Sequence, residues 1–132
     1  MERKEPRFTG RAAMGLGRIK AEAQKGDAGK APYHLLPPNA IHDVVLALEE
    51  GATKYGDHNW RDGTSWSRYL SAALRHIFAW MRGQDLDEES GKPHLAHAVC
   101  CLLFLLEYGK ENIGTDDRPI CKKAEHGPRD KV

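Results

Sequence analysis

Between Gly83 and His97 the chain reads Gly-Gln-Asp-Leu-Asp-Glu-Glu-Ser-Gly-Lys-Pro-His-Leu-Ala-His, a set of residue types suited to metal chemistry. Four carboxylates, Asp85, Asp87, Glu88 and Glu89, crowd one short loop. Pro93 then opens a helix that carries His94 and His97 one turn apart. Positions i and i+3 share a helix face, so both imidazoles can aim at one spot. Oxygen and nitrogen donors gathered at one point are what a divalent cation requires. In an extended loop Asp85, Asp87 and Glu89 alternate onto one side, which makes them the expected ligands and leaves Glu88 in solvent. Oxygens in that number suit Mg²⁺ or Mn²⁺ better than zinc, and the histidines add weight to Mn²⁺ or to a role behind the ligands. The plainer reading of the loop is that acids upstream of a helix favour the positive end of its dipole.

Other polar residues lie on elements that could reach this point. His76 falls on the edge of an apolar helical stripe, beside Tyr69, Ala72 and Trp80, and Arg75 points away from that stripe. A single edge histidine is more often a hydrogen-bonded surface group than a ligand, and the His94/His97 pair shifts that balance. Glu49 flanks the stripe of an earlier helix and is a further candidate ligand. Glu50 and Lys54, four apart, can form a surface pair worth a few tenths of a kcal/mol, or Lys54 can meet a phosphate. Asn59, Trp60 and Arg61 sit in a polar loop that could stack a base on indole and read its edge with an amide. Equally, Trp60 can plug the end of a bundle and Asn59 can hold a turn.

The elements that must position these groups are helical. Ile41, Val44, Val45, Leu48, Ala52 and Tyr55 follow a 3.6-residue period after a Leu-Leu-Pro-Pro approach, with Asn39 the expected N-cap and Gly56 the stop. Thr64 or Ser65 is placed to cap a second helix with the stripe Trp66, Tyr69, Leu70, Ala73, Leu74, Ile77 and Met81, ended by Gly83. A third helix runs from about Pro93 to Tyr108, capped by Gly109 and apolar on every side from Ala98 to Leu106. A helix without a polar face has to be covered all round, which three helices in one chain do not easily achieve. The expected fold is therefore all-α: a small bundle with a fully buried central helix, completed by oligomerisation into a dimer or tetramer.

With 132 residues the chain suits one domain: a basic flexible arm over 1–32, a helical catalytic domain over 33–109 and a polar tail over 110–132. Net charge is +1, which removes any global argument for nucleic acid or a membrane as partner. The charge is uneven, however, with eight Lys or Arg against four acids in residues 1–30. Three cysteines, Cys100, Cys101 and Cys121, make neither an even disulfide framework nor a CxxC pair. A cytoplasmic setting fits them, and no apolar run is long enough for a signal peptide or a membrane span.

One string of residues carries a resemblance. Gly51-Ala52-x-Lys54-Tyr55-Gly56-x-x-Asn59-Trp60, then Arg75-His76, then Gly83-x-Asp85-x-Asp87-x-Glu89-Ser90-Gly91-x-Pro93-His94-Leu95-Ala96-His97-Ala98, resembles the dATP/dGTP diphosphohydrolase N-terminal domain family of phage genomes. Tyr33-x-Leu35-Leu36-Pro37 matches too, so the likeness covers roughly Lys30 to Gly109. That family is similar to the MazG-like nucleotide pyrophosphatases, oligomeric all-α enzymes that hold Mg²⁺ through ExxE and ExxD motifs and release pyrophosphate. Where the second acidic motif would open the buried helix, this chain has His94-x-x-His97, and Arg75-His76 stands at the place of the first. The resemblance thus implies a ligand set rebuilt from His76, His94 and His97 with Asp85, Asp87 and Glu89. It further implies an Mg²⁺- or Mn²⁺-dependent hydrolysis of purine deoxynucleoside triphosphates to monophosphate and pyrophosphate, in a phage-infected bacterial cytoplasm. Lys54 and Arg75 would offset phosphate charge, Glu89 or a histidine would take a proton, and Asn59, Trp60 and Arg61 would contact the nucleotide. The alternatives are an HD-type phosphohydrolase releasing triphosphate and a non-catalytic helical protein that binds nucleic acid through its first thirty residues.

Overall fold

A computed structural model describes residues 22–119. The basic arm expected over 1–32 lies outside the described residues up to position 21, as do the tail beyond 119 and Cys121. The chain divides into two units, with the boundary between Tyr33 and His34. In the first, the described residues hold one turn, closed where the Lys30 amide donates to the Asp27 carbonyl at 3.0 Å.

The second unit carries three α-helices: α1 (Pro38–Tyr55), α2 (Trp66–Met81) and α3 (His94–Glu111), with a 3-10 turn at Asn59–Asp62. No strand occurs among the described residues, so the all-α expectation holds. The helix ends depart from the sequence reading in three places. Helix α1 begins at Pro38 rather than being capped by Asn39, because the fixed φ of proline suits a first helical position that needs no amide donor. Helix α3 passes through Gly109 and stops at Glu111, where Asn112 takes the left-handed conformation (φ 57°, ψ 47°) that terminates helices. Ser65 occupies the N-cap position of α2 without a capping side-chain bond. The carboxylate of Asp117 does that work instead, accepting from the Ser67 amide at 2.9 Å and from its hydroxyl.

Asp117 belongs to a strap, residues 112–119, that the sequence suggested was featureless tail. Thr115 exchanges backbone bonds with Thr64 and Trp66 at 3.1 and 2.9 Å, and the Trp66 indole donates to the Ile113 carbonyl at 2.8 Å. Gly114 allows the approach: its φ is 76°, and a Cβ there would run into the Thr64 carbonyl.

Val44 and Ala47 of α1 pack on Ala96 and Cys100 of α3, with Leu48 and Phe104 at the margin. Burial pushes the Cys100 thiol up to about 12 and that of Cys101 up to about 11, so both are small apolar fillers and not nucleophiles. Helices α2 and α3 run antiparallel: Tyr69 meets Phe104 and Tyr108 towards one end, and His76 meets His94 and His97 at the other. The expectation that α3 is covered on every side is not met within one chain. Its two neighbours cover two sides, and Leu95, Val99, Leu102, Leu103 and Leu106 remain 38–62% exposed. No helix among the described residues is long and apolar enough to cross a membrane.

Candidate metal centre

Antiparallel packing sets the last turns of α2 against the first turn of α3, and the loop between them folds over the junction. That loop is not extended. Asp87 and Lys92 pair through a backbone bond of 2.8 Å, the Gly91 amide closes a turn on the Asp87 carbonyl at 2.7 Å, and the Asp85 carbonyl accepts from the His94 amide at 2.9 Å. Alternation of Asp85, Asp87 and Glu89 onto one side therefore fails, because a closed turn sends successive acids in different directions. Gly91 sits at the reversal with φ 74°, where an L side chain would be strained.

The turn directs Asp87 inward. Its Oδ2 accepts from the Ser90 amide at 3.1 Å and from the Ser90 hydroxyl at 2.9 Å, and it lies 3.9 Å from His97 Nε2. Burial alone would raise the Asp87 carboxyl. The two Ser90 bonds outweigh it, with help from His97 and His76, and hold the group below the usual carboxylate range. His94 is buried at 5% exposure, with Nδ1 2.8 Å from His76 Nδ1 and Nε2 2.8 Å from Gln84 Oε1. His97 stacks on His76 with centroids 4.7 Å apart and planes at 15°, and its Nε2 lies 2.7 Å from Ser90 Oγ. Burial, then the nearby His97 and His94 rings, pushes the His76 imidazole below its ordinary value, so it is uncharged at neutral pH.

One ligand atom each from His76, Asp87 and His94 fall within 4.8 Å of one another. Residues 20–118 match the family described as dATP/dGTP diphosphohydrolase, N-terminal. The chain belongs to that family. A dATP/dGTP diphosphohydrolase of Salmonella phage PMBT28 is 37% identical to it over 94 residues, 71% of this chain and 32% of the relative. The chain thus spans about a third of that relative's length. No solved structure matches.

In this member of the diphosphohydrolase family the donor set fits a divalent cation. Two nitrogens each about 2.1 Å from one ion at a right angle lie about 3 Å apart, and the two Nδ1 atoms are 2.8 Å apart. Two such lone pairs facing each other at that distance need a proton or a cation between them. Two imidazoles with one carboxylate are a mixed set, with fewer acids than the histidine-and-carboxylate set expected from the sequence, and that mixture leans towards Mn²⁺.

The remaining expected residues are placed around this cluster and not in it. Glu89 points outward and accepts from Lys54 Nζ at 3.3 Å, and Lys54 also pairs with Glu50 at 3.4 Å. The Glu89 hydrogen bond, then the charge of Glu50, raises the lysine's pKa. Asp85 offers the cluster its backbone carbonyl and keeps an exposed side chain, and Glu49 and Arg75 are exposed as well. Trp60 stacks on Phe104 at 5.1 Å, its carbonyl accepts from the Tyr108 hydroxyl at 2.6 Å, and the Arg61 guanidinium lies over its ring at 4.6 Å. Asn59 is exposed in the same turn. Phe104 is seven residues beyond His97, about 10 Å along the helix axis.

Gln84 and Ser90 had no assigned role in the sequence reading. Ser90 was detectable, since a serine three residues after an aspartate is a common closing partner for its carboxylate. Gln84 gave no local signal, because its partner His94 is ten positions away in sequence.

Proposed function

We propose that this domain forms the nucleotide-hydrolysing centre of a Mg²⁺- or Mn²⁺-dependent enzyme that converts purine deoxynucleoside triphosphates to monophosphate and pyrophosphate. The meeting of His76, Asp87 and His94 from three separate segments carries this reading. The family and the name of the phage relative supply the substrate class. His76, His94 and Asp87 would hold the cation, which when bound neutralises phosphate charge and acidifies a coordinated water.

Each protein group then has a task at a stated atom. Lys54 Nζ, tethered between Glu50 and Glu89 at the margin of the loop, offers a positive charge to phosphate oxygens. Arg75, exposed one residue before His76, adds a second. The Glu89 carboxylate, 76% exposed and bonded to Lys54, would turn inward from that pairing to accept the proton of the attacking water. Asn59 and Arg61, exposed beside Trp60, contact the base, and the engaged Trp60 ring serves as their support. The active form is a homo-oligomer, with the exposed leucines of α3 meeting a second copy.

A panel of deoxynucleoside triphosphates with Mg²⁺ and with Mn²⁺, resolving each phosphate product, tests the reading. Pyrophosphate from purine substrates is the expected result. Asp87→Asn should abolish turnover and leave the helical circular dichroism unchanged. Full activity in that variant would remove Asp87 from the centre. The two histidines on antiparallel helices, joined by one aspartate from the loop between them, also favour a second reading, an HD-type phosphohydrolase, for which the product would be tripolyphosphate.

A further inference from the structure

Hydrogen-bond capacity fixes where the protons of this cluster sit. The Glu88 carboxylate can only accept, so the Gln84 amide nitrogen, 3.1 Å from Glu88 Oε1, must be the donor there. That orientation turns the Gln84 carbonyl towards His94, where Oε1 can only accept. His94 therefore carries its proton on Nε2 and presents a bare Nδ1 lone pair to His76. The same accounting applies on the other side. Ser90 has one hydroxyl proton, and the Asp87 carboxylate at 2.9 Å has none to give, so the hydroxyl donates to Asp87. Its two lone pairs remain for the Lys92 amide at 3.2 Å and for His97 Nε2 at 2.7 Å, which must then be an N–H. His97 in turn is the flat surface on which the His76 ring lies.

We infer that Gln84 and Ser90 are positioning residues that orient all three ligands of the centre. Gln84 locks His94 in the Nε2–H tautomer with Nδ1 open to the cation. Ser90 holds the Asp87 carboxylate through Oδ2 and anchors His97, against which His76 is stacked. The roles rest on the metal-binding reading above and extend it to atoms: both histidines bind through Nδ1. Ligating histidines generally need such a partner on the other ring nitrogen, and removing it typically costs about 10–100-fold in metal affinity.

The test is long-range ¹⁵N–¹H NMR of the imidazoles in the full, metal-free chain at neutral pH, followed by calorimetric titration with Mn²⁺ alone. Wild-type His94 and His97 should both show the Nε2–H pattern. Gln84→Leu should bring the Nδ1–H form into the His94 signals and weaken Mn²⁺ binding about 10–100-fold, with unchanged helix content. Gln84→Glu restores an acceptor and should recover the tautomer and most of the affinity, a rescue that a purely structural amide would not give. Ser90→Ala should broaden the His97 and His76 signals and weaken Mn²⁺ binding. An Nδ1–H proton on His94 in the wild type, or Mn²⁺ affinity unmoved in Gln84→Leu, would overturn the proposal. Nε2–H tautomers without any Mn²⁺ uptake by the wild type would instead overturn the metal reading and leave the hydrogen-bond roles of Gln84 and Ser90 standing.

Discussion

His76 is the residue whose chemistry depends most on its neighbours. Its imidazole, held below the ordinary 6.5, stays neutral in the folded chain at a pH where the unfolded chain takes up a proton. The unfolded state then binds more protons, so stability is full above about 6.5 and is lost as pH falls from there through the lowered value. Thermal unfolding of metal-free protein at pH 7.5 and pH 5.5 should show that loss, and His76→Gln should shrink it; equal losses in both proteins would refute the assignment. Tyr108 supplies a second residue-scale outcome. It is fully buried, and its hydroxyl bonds the Trp60 carbonyl. Tyr108→Phe removes one of that carbonyl's two donors, the Gly63 amide at 3.0 Å remaining, and should cost roughly 0.5–1.5 kcal/mol in urea unfolding, with metal uptake unaffected. At this scale the sequence displayed the right residue types and could not rank them. His76 looked ambiguous because a stripe edge does not reveal what lies opposite. Asp87 differed from Asp85 and Glu89 only once the loop had closed through Ser90 and Gly91.

At the scale of elements, periodicity located all three helices, because apolar positions on a 3.6-residue repeat are set by burial and burial decides what folds. The helix ends were less legible. Gly109 looked like a stop, but nothing in the packing required one there, and the helix continued to the next residue able to turn left-handed, Asn112. The cap of α2 comes from Asp117, fifty residues away in sequence, and no local pattern could announce it. The strap carrying Asp117 depends on Gly114 lying close against Thr64. Gly114→Ala asks an L residue to adopt φ 76° and pushes a Cβ at a carbonyl, which should cost roughly 1–3 kcal/mol and release the strap. Hydrogen exchange at the Trp66 and Thr115 amides reads the release directly, and unchanged protection there would mean that the strap is held by other contacts. Because the strap grips the first turn of α2 and the candidate metal cluster meets the helix towards its other end, Mn²⁺ affinity should fall less than stability does.

For the whole molecule the unanswered physical demand is the uncovered side of α3. Leu95, Val99, Leu102 and Leu106 are spaced by four, three and four residues, so they form one stripe, and each is 38–62% exposed. Helix α2 adds a second exposed row in Leu70, Leu74, Phe78 and Met81. A stripe with this spacing is the seam of a helix pair, and burying it against water is favourable by about 25 cal/mol per Å². A second copy of the same chain would meet it with a matching stripe through a two-fold axis, and a net charge of +1 would offer little repulsion between copies. The full chain should therefore elute as a dimer or larger species in size exclusion with light scattering. Leu102→Glu with Leu106→Glu places two like charges in each seam and should give monomers of unchanged helix content. The candidate metal donors all come from one chain, so on the proposed reading those monomers should still bind Mn²⁺. If wild type is monomeric at micromolar concentration, the exposed stripe of α3 is not a self-pairing seam.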